Sequence, residues 1–177
     1  ARWPEAEIAL LGREGVGGLF QGQAWANRVL VFEHTGRHRG LFGLERLARE
    51  IRKERFDTAV LFQNAFQAAW LAWRSGVPQR IGYARDARSW LLTHAVAVPG
   101  PGEAPAHESY YYLELLRRAG WIEKLPELKW IRLEVPAQAM ERAEEILERA
   151  GVPGAPRVLR VAMAPGAAYG SAKCWPE

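Results

Sequence analysis

Short runs of consecutive apolar residues alternate with helix patterns along most of this 177-residue chain. Clear examples are residues 8–11, the apolar core 29–32 of the segment 28–33, and the apolar core 59–62 of the segment 56–62. A turn or polar loop separates the runs from the helix patterns. Unbroken apolar strands fit a parallel sheet that is buried on both faces, whereas half-exposed strands would alternate apolar and polar residues. The chain is therefore predicted to form an α/β fold with a Rossmann-like, doubly wound, mostly parallel sheet.

The helix patterns predict which side chains face this sheet. Residues 65–74 are apolar on nearly every side, which predicts a helix packed between layers. A further helix is expected to start near His107 and to end at Gly120, in the manner of a C-cap. The inner face of the helix after residue 40 is assigned by spacings of three and four to Leu41, Leu44, Leu47, Ala48 and Ile51. A last helix from Pro136 has the predicted inner stripe Ala139, Met140, Ala143, Ile146, Leu147 and Ala150, and pairs Glu145 with Arg149 outside.

The charged residues permit an anionic partner and indicate no metal site. Formal net charge is +4, and only four of the 24 basic residues are lysines. Arginine binds carboxylates and phosphates with a planar fork, but a GC-rich or heat-adapted source would give the same bias. Cys174 is the only cysteine, which excludes an intrachain disulfide, and the four histidines are too dispersed for metal spacing. No uncharged apolar run approaches the length that spans a membrane.

The last twenty residues have the pattern of a phosphate-binding loop. An apolar run from Val158 leads to a Pro-Gly turn, small residues, Lys173 and a Trp-Pro-Glu helix start at residues 175–177. Backbone N–H groups at such a helix start carry a partial positive charge that suits a phosphate or diphosphate. The predicted donor-phosphate residues are Gly166, Ala167, Gly170, Ser171 and Lys173.

Residues 165–173 with Trp175 and Pro176 resemble the central signature of the bacterial lipopolysaccharide heptosyltransferases, glycosyltransferase family 9. The resemblance is greater to heptosyltransferase II than to heptosyltransferase I, which remains an alternative along with other nucleotide-sugar transferases. It implies a two-domain GT-B enzyme that moves heptose from ADP-heptose to the inner core of lipopolysaccharide. Lys173 then lies beside the donor diphosphate as the catalytic residue, and no cofactor is needed.

The same resemblance implies an anionic acceptor of the Kdo-lipid A kind, with the enzyme in the cytoplasm at the inner membrane surface and no nucleic acid partner. Asn64 followed by Phe66, and Gly-Val-Pro-x-Arg-x-Gly at residues 76–82, match the family. The residues that it places on the acceptor side are Asn64, Arg80, Arg85, Arg88, His107 and Glu108, with Tyr111 as a further candidate.

Simpler roles remain open for several of these residues. Asn64 is equally suited to cap a helix, Arg80 to hold the sheet edge, and His107 to serve a structural role at a helix start. The cluster Arg37, His38 and Arg39 is a second candidate for anion contact, because we expect no acidic side chain near it.

Residues 1–150 are expected to form the acceptor-side domain, 151–157 a linker and 158–177 the start of a truncated donor-binding domain. The family's first strand and its loop, which holds the candidate general base, are expected to be missing, so this chain alone is expected to be inactive. A non-catalytic module that binds anions or glycolipids is the alternative from another class of function.

Overall fold

A computed structural model describes residues 3–128, 132–152 and 161–162. In these ranges, parallel-strand and helical elements alternate, and a 3₁₀ helix at Ser89–Leu91 separates the last two strands. The elements in chain order are β1 (Ala9–Arg13), α1 (Glu14–Phe20), β2 (Arg28–Phe32), α2 (Gly40–Lys53), β3 (Thr58–Leu61), α3 (Phe66–Arg74), β4 (Gln79–Tyr83), β5 (His94–Val96), α4 (Glu108–Arg118) and α5 (Ala137–Arg149).

All of the described strand pairs are parallel. β1 pairs with β2, and β3, β4 and β5 form a second ladder with β4 in the middle. Arg28, at the start of β2, contacts the carboxylate of Glu54 and lies 5.8 Å from the ring of Phe56, just before β3. The prediction of a parallel α/β fold is confirmed, with the strands divided between two ladders in the described residues.

Helices cover both faces of the three-stranded ladder. Ile81 and Tyr83 of β4 pack with Leu115 of α4, whereas a Cβ atom on the intervening Gly82 would lie 3.5 Å from Leu92, beside the 3₁₀ helix. Leu92 belongs to the core cluster that includes Ala69 of α3. Because successive residues of a strand point to opposite faces, α3 and α4 cover different faces of the sheet. This is the doubly wound, Rossmann-like arrangement.

Two helix faces differ from the prediction. Leu47, Ala48 and Ile51 of α2 are buried as expected, but Leu41 is 80% exposed because it lies in the first turn, before the buried part of the helix begins. α3 is not covered on all sides, since Trp73 is 46% exposed and contacts another aromatic ring at its surface.

The chain folds into two compact units, Ala1–Leu133 and Glu134–Glu177. In the second unit, α5 follows Pro136 and carries the predicted Glu145–Arg149 ion pair at 3.1 Å. No residue of α5 is buried by the described residues, so its predicted inner stripe is not covered in this part of the chain. Among the described residues, no helix is both long and apolar enough to cross a membrane.

Candidate functional site

Polar side chains gather where β3 and β4 end, in the first unit. Asn64 follows β3, Arg85 follows β4, and Tyr111 reaches the same place from the first turns of α4. The carboxyl ends of parallel strands are where open α/β sheets bind ligands. These three side chains are partly or largely exposed, so they form a candidate binding edge, here called the polar edge.

Asn64 uses its amide to join two elements. Its Nδ2 donates to the hydroxyl of Tyr111 at 2.9 Å, and its Oδ1 accepts from Nη2 of Arg88 at 3.2 Å. The N-cap of α3 is Ala65, and no side chain caps that helix. The alternative that Asn64 serves as a helix cap is therefore wrong, because its side chain is engaged in long-range contacts.

Arg88 is fully buried and supports the polar edge from inside. Nε donates to the backbone oxygen of Tyr83 at 3.1 Å, and Nη1 donates to that of Gln63 and, at 3.5 Å, of Ala65. Burial lowers the pKa of Arg88, but a guanidinium stays charged in proteins. Every nitrogen of Arg88 thus faces a protein acceptor, which makes it a positioning residue in this structure, and its predicted contact with an acceptor substrate stays a prediction.

Gly82 gives Arg88 its space. A Cβ atom at Gly82 would lie 3.2 Å from Nη2 of Arg88 and 3.3 Å from the Cβ of Leu61. A larger residue at this point of β4 would push against both neighbours. The glycine in the predicted motif at residues 76–82 therefore has a packing reason, which the sequence pattern alone did not indicate.

Arg85 supplies the exposed positive charge of the polar edge. Its Nη1 lies 3.5 Å from the hydroxyl of Tyr111, and its Nε lies 3.4 Å from a carboxylate oxygen of Asp86. The hydrogen bond to Tyr111, followed by the contact with Asp86, raises the pKa of Arg85. With nearly half of its side chain exposed, Arg85 keeps donors free for a carboxylate or phosphate.

The loop that carries Arg85 is strained. Asp86 and Ala87 are consecutive non-glycine residues with φ of 54° and 53°, in the left-handed region. Such conformations cost free energy and persist only where surrounding contacts enforce them, and they cluster at functional sites. Here Arg85 and Arg88, on either side of the pair, provide those contacts.

Tyr83 attaches α4 to the sheet beneath the polar edge. Its hydroxyl donates to the backbone oxygen of Tyr111 at 2.6 Å, and the two rings lie 4.6 Å apart. Burial, followed by the proximity of Tyr111 and Glu114, raises the pKa of Tyr83 to about 12. Sequence reasoning missed Tyr83, whose only signal was its place directly after Gly82 at the end of a predicted strand.

Arg80 lies at the opposite end of β4 from Tyr83. Its guanidinium donates to the backbone oxygens of Leu91 at 2.7 Å, Val77 at 2.5 Å and Pro78 at 3.2 Å. These contacts agree with the alternative in which Arg80 holds the sheet edge. Its contact with an acceptor stays a prediction.

His107 and Glu108 lie at the exposed start of α4. Nδ1 of His107 accepts from the backbone N–H of Ser109 at 3.3 Å and so caps the helix, which agrees with a structural role. Burial, and then the carboxylate of Glu108, raise the pKa of Tyr112, whose ring contacts that of Tyr111 at 5.3 Å. His107 and Glu108 precede Tyr111 by four and three residues, so they lie about one helical turn from the polar edge. Their predicted contact with an acceptor stays a prediction.

The interpretation that Arg37, His38 and Arg39 have no acid nearby is wrong. Arg37 pairs with Glu33 at 2.9 Å, and Nε2 of the buried His38 lies 3.1 Å from Glu50. Nδ1 of His38 also accepts from the backbone N–H of Glu33 at 3.0 Å. Two of the three residues are thus engaged in holding the loop before α2.

The predicted donor-phosphate residues fall outside the described residues. This applies to Gly166, Ala167, Gly170, Ser171 and Lys173, so their roles stay predictions. Within the described ranges, no group of three or more His, Cys, Asp or Glu side chains is arranged to hold a metal ion.

A doubly wound parallel sheet with a polar, cationic cluster at the carboxyl ends of its strands defines a Rossmann-like domain, a class in which ligands bind at that edge. A family model described as glycosyltransferase family 9 (heptosyltransferase) matches residues 44–177. The chain belongs to this family.

Solved structures have the same fold. A glycosyl transferase family 9 protein from Veillonella parvula DSM 2008 matches with a TM-score of 0.71 and 18% identity, over 85% of this chain and 42% of that one. The ADP-heptose lps heptosyltransferase II of E. coli matches with a TM-score of 0.63 and 22% identity, over 99% of this chain and 50% of that one. The chain thus spans half or less of the length of each structure. A search of curated proteins found no match.

Proposed function

We propose that this chain is part of a glycosyltransferase that moves heptose from ADP-heptose to the inner core of lipopolysaccharide, in the manner of heptosyltransferase II. The family match carries the proposal, because residues 44–177 include both the polar edge and the loop around Lys173. The likeness in fold to the E. coli heptosyltransferase II is consistent with it.

The first unit would bind the acceptor. Arg85 offers an exposed guanidinium for a Kdo carboxylate or a core phosphate, while Asn64 and Tyr111 offer amide and hydroxyl groups for sugar hydroxyls. Arg88 would act through Asn64, whose amide it orients from the protein interior. The acceptor would therefore lie across the carboxyl ends of β3 and β4.

The donor would bind at the loop around residues 165–173. Lys173 and the backbone N–H groups would stabilise the negative charge that develops on the departing ADP phosphate. A general base would take the proton of the acceptor hydroxyl as that oxygen attacks the anomeric carbon of heptose. We assign no residue of this chain to the base.

The experiment is transfer by the full-length protein from ADP-heptose to Kdo-lipid A carrying either no heptose or one. ADP release that requires the heptosylated acceptor is the expected result, and use of the unheptosylated acceptor alone would instead support a heptosyltransferase I. Lys173→Ala should lower kcat by about two to three orders of magnitude. Lys124→Ala removes an exposed lysine of the described region and serves as the matched control.

The alternative of a non-catalytic binding module predicts a different outcome. Such a protein would bind the glycolipid without releasing ADP, and Lys173→Ala would leave that binding unchanged. Tight binding to oligonucleotides with a steep salt dependence, and none to ADP, would also contradict the transferase proposal.

A further inference from the structure

A cavity of about 440 Å³, here called the amino-end cavity, lies at the edge of the sheet opposite the polar edge. Its walls come from the end of α2 and from the segments that lead into β3 and β4, which are residues 51–52, 55–57 and 75–78. These segments precede their strands, whereas the polar edge follows them, so the length of β3, roughly 10 Å or more, separates the two regions. Its lining includes no candidate acceptor or donor residue, so the cavity is separate from the site described above.

The floor of the amino-end cavity is apolar and is held in place by the core. Ile51 and Val77 are buried. The ring of Phe56 is partly buried and packs against the core cluster to which Ile51 belongs, and Arg28 lies 5.8 Å from the same ring. Small-molecule sites are of this kind, because they are concave, largely apolar and formed before the ligand arrives, with a few polar groups that fix its orientation.

Arg52 presents a fixed guanidinium group at the wall of the cavity. Its Nε donates to the backbone oxygen of Ser75 at 3.4 Å and its Nη2 to that of Arg74 at 3.0 Å, which fastens the side chain to the end of α3. These bonds leave Nη1 without a partner among the described residues. Because the plane of the group is already fixed, Nη1 can donate to a ligand with little further loss of side-chain entropy.

Arg55 and Asp57 place opposite charges at the same cavity. Both side chains are exposed, and neither forms a hydrogen bond or an ion pair with another residue of the described ranges. Arg55 has a φ of 56°, in the left-handed region, at the position after the C-cap of α2 where glycine is the usual residue. Its backbone N–H ends the helix by donating to the oxygen of Arg52 at 3.2 Å, a role that needs no side chain. The helix end therefore explains the conformation of residue 55 but not the choice of arginine.

We propose that the amino-end cavity binds a small zwitterion with an apolar group, of the class of the aromatic α-amino acids. The carboxylate of the ligand accepts from Arg55 and from Nη1 of Arg52, and its ammonium group donates to the carboxylate of Asp57. Its side chain packs against Phe56 and the buried floor. A simple anion would face Asp57 and a simple cation would face two guanidinium groups, so opposite charges on one ligand fit this wall best. This binding goes beyond the proposed function and does not depend on it.

The test is the binding of L-phenylalanine to the full-length protein, followed by ligand-observed NMR. We expect a Kd of about 1 mM, which is typical of a ligand of this size. Two analogues separate the charges, since hydrocinnamate lacks the ammonium group and phenethylamine lacks the carboxylate. Each analogue should bind about tenfold more weakly than L-phenylalanine, because each loses one charged hydrogen-bonding group.

Variants of the protein test the same two charges from the other side. Arg55→Gln should weaken the binding of L-phenylalanine and hydrocinnamate about tenfold and leave that of phenethylamine unchanged. Asp57→Asn should weaken the binding of L-phenylalanine and phenethylamine and leave that of hydrocinnamate unchanged. Arg46→Gln is the matched control, because Arg46 is an exposed arginine of α2 outside the cavity. It should change none of the three affinities, and circular dichroism should show every variant folded.

Four outcomes would overturn the proposal. The first is the absence of saturable binding of L-phenylalanine up to roughly 10 mM, ten times the expected Kd. The second is an equal loss of affinity in Arg46→Gln and Arg55→Gln. In the third, hydrocinnamate binds as tightly as L-phenylalanine and Asp57→Asn has no effect, which would assign the cavity to a simple carboxylate. In the fourth, ADP displaces L-phenylalanine, which would place the binding elsewhere in the protein. Because heptose transfer is not measured, each of these outcomes leaves the transferase proposal unaffected.

Discussion

Nη2 of Arg88 lies 3.2 Å from Oδ1 of Asn64, and this contact joins the buried interior of the first unit to its exposed polar edge. The other amide group of Asn64 binds Tyr111, so one side chain connects the loop after β3 with both the loop after β4 and helix α4. The orientation of Asn64 is therefore fixed by residues 24 and 47 positions away in the sequence.

Arg88→Leu should destabilise the first unit strongly. The change leaves the buried carbonyl of Tyr83 and the partly buried carbonyls of Gln63 and Ala65 without their donor. An unsatisfied group costs about 1–3 kcal/mol when it is fully buried and less when water can reach it. We expect a total loss of about 3 kcal/mol in the free energy of unfolding, measured by urea denaturation. Arg85→Leu is the control, because Arg85 is exposed, and it should change stability by less than about 1 kcal/mol. Comparable effects of the two variants would show that Arg88 is not the internal support.

Tyr111→Phe should impair acceptor binding in the full-length enzyme. It removes the hydroxyl that accepts from Asn64 and lies near Arg85, but it keeps the ring contact with Tyr83. We expect the KM for the glycolipid acceptor to rise about tenfold while the KM for ADP-heptose stays the same, because one polar interaction is lost. Tyr110→Phe provides a matched tyrosine change on the same helix. A rise in the KM for the donor instead would place this edge on the other substrate.

Gly43→Ala should destabilise the first unit, although alanine is the better helix former. A Cβ atom at Gly43 would lie 2.6 Å from the backbone oxygen of His38 and nearer still to its carbonyl carbon, so α2 or the loop before it must shift. We expect a cost of about 2–3 kcal/mol in thermal or urea unfolding.

Gly18→Ala is the matched change in α1, where an added Cβ would meet no atom within 4 Å. It should stabilise the protein by about 0.5–1 kcal/mol, following helix propensity alone. If both alanines had the same effect, close packing at Gly43 would be refuted.

Stability should fall in acid as Glu114 becomes protonated. The hydrogen bonds from Arg117 at 2.6 and 2.7 Å, together with one from Arg118, outweigh burial and lower the pKa of Glu114 to about 2. Because this pKa lies below the value of 4.5 for an unperturbed glutamate, the stabilisation is complete above pH 4.5 and is lost as the pH falls towards 2. It is on the order of 2 kcal/mol after allowance for the partly exposed arginines.

The measurement is the unfolding free energy from pH 6 to pH 2. Glu114→Gln should flatten the decline in this range, apart from the part that belongs to Glu103, whose pKa Arg118 also lowers. An unchanged acid limb in the Glu114→Gln protein would assign the decline to other carboxylates.

The order of helices and strands could be predicted from the sequence because local patterns determine it. Buried parallel strands are continuous apolar runs, and Gly120, with φ of 75°, ends α4 as its position suggested. The pair Glu145–Arg149 followed from helical spacing for the same reason. Leu41 was wrongly placed because helical spacing identifies a face but not the turn at which burial begins.

The contacts of the candidate site could not be predicted in this way. Asn64 and Arg85 were identified through the family resemblance, but no local pattern indicates that Arg88 would be buried or that Tyr111 would meet Asn64. His38 was misinterpreted for a similar reason, because its partner Glu50 lies 12 residues further along, on α2. Each of these contacts depends on how elements pack, which only the three-dimensional structure supplies.

The consecutive left-handed residues Asp86 and Ala87 store conformational strain in the loop after β4. A strained segment relaxes to a favoured backbone conformation once the contacts that hold it are removed. The guanidinium of Arg88, which binds the backbone oxygen of Tyr83, is one of the contacts that hold this loop. Replacing Ala87 by glycine would remove the strain at one of these two positions and would leave the side-chain contacts of Arg85 and Arg88 in place. Comparing the position of the Arg85 side chain in the Ala87→Gly variant and in the parent protein would reveal whether the loop backbone or the contacts of Arg88 determine that position.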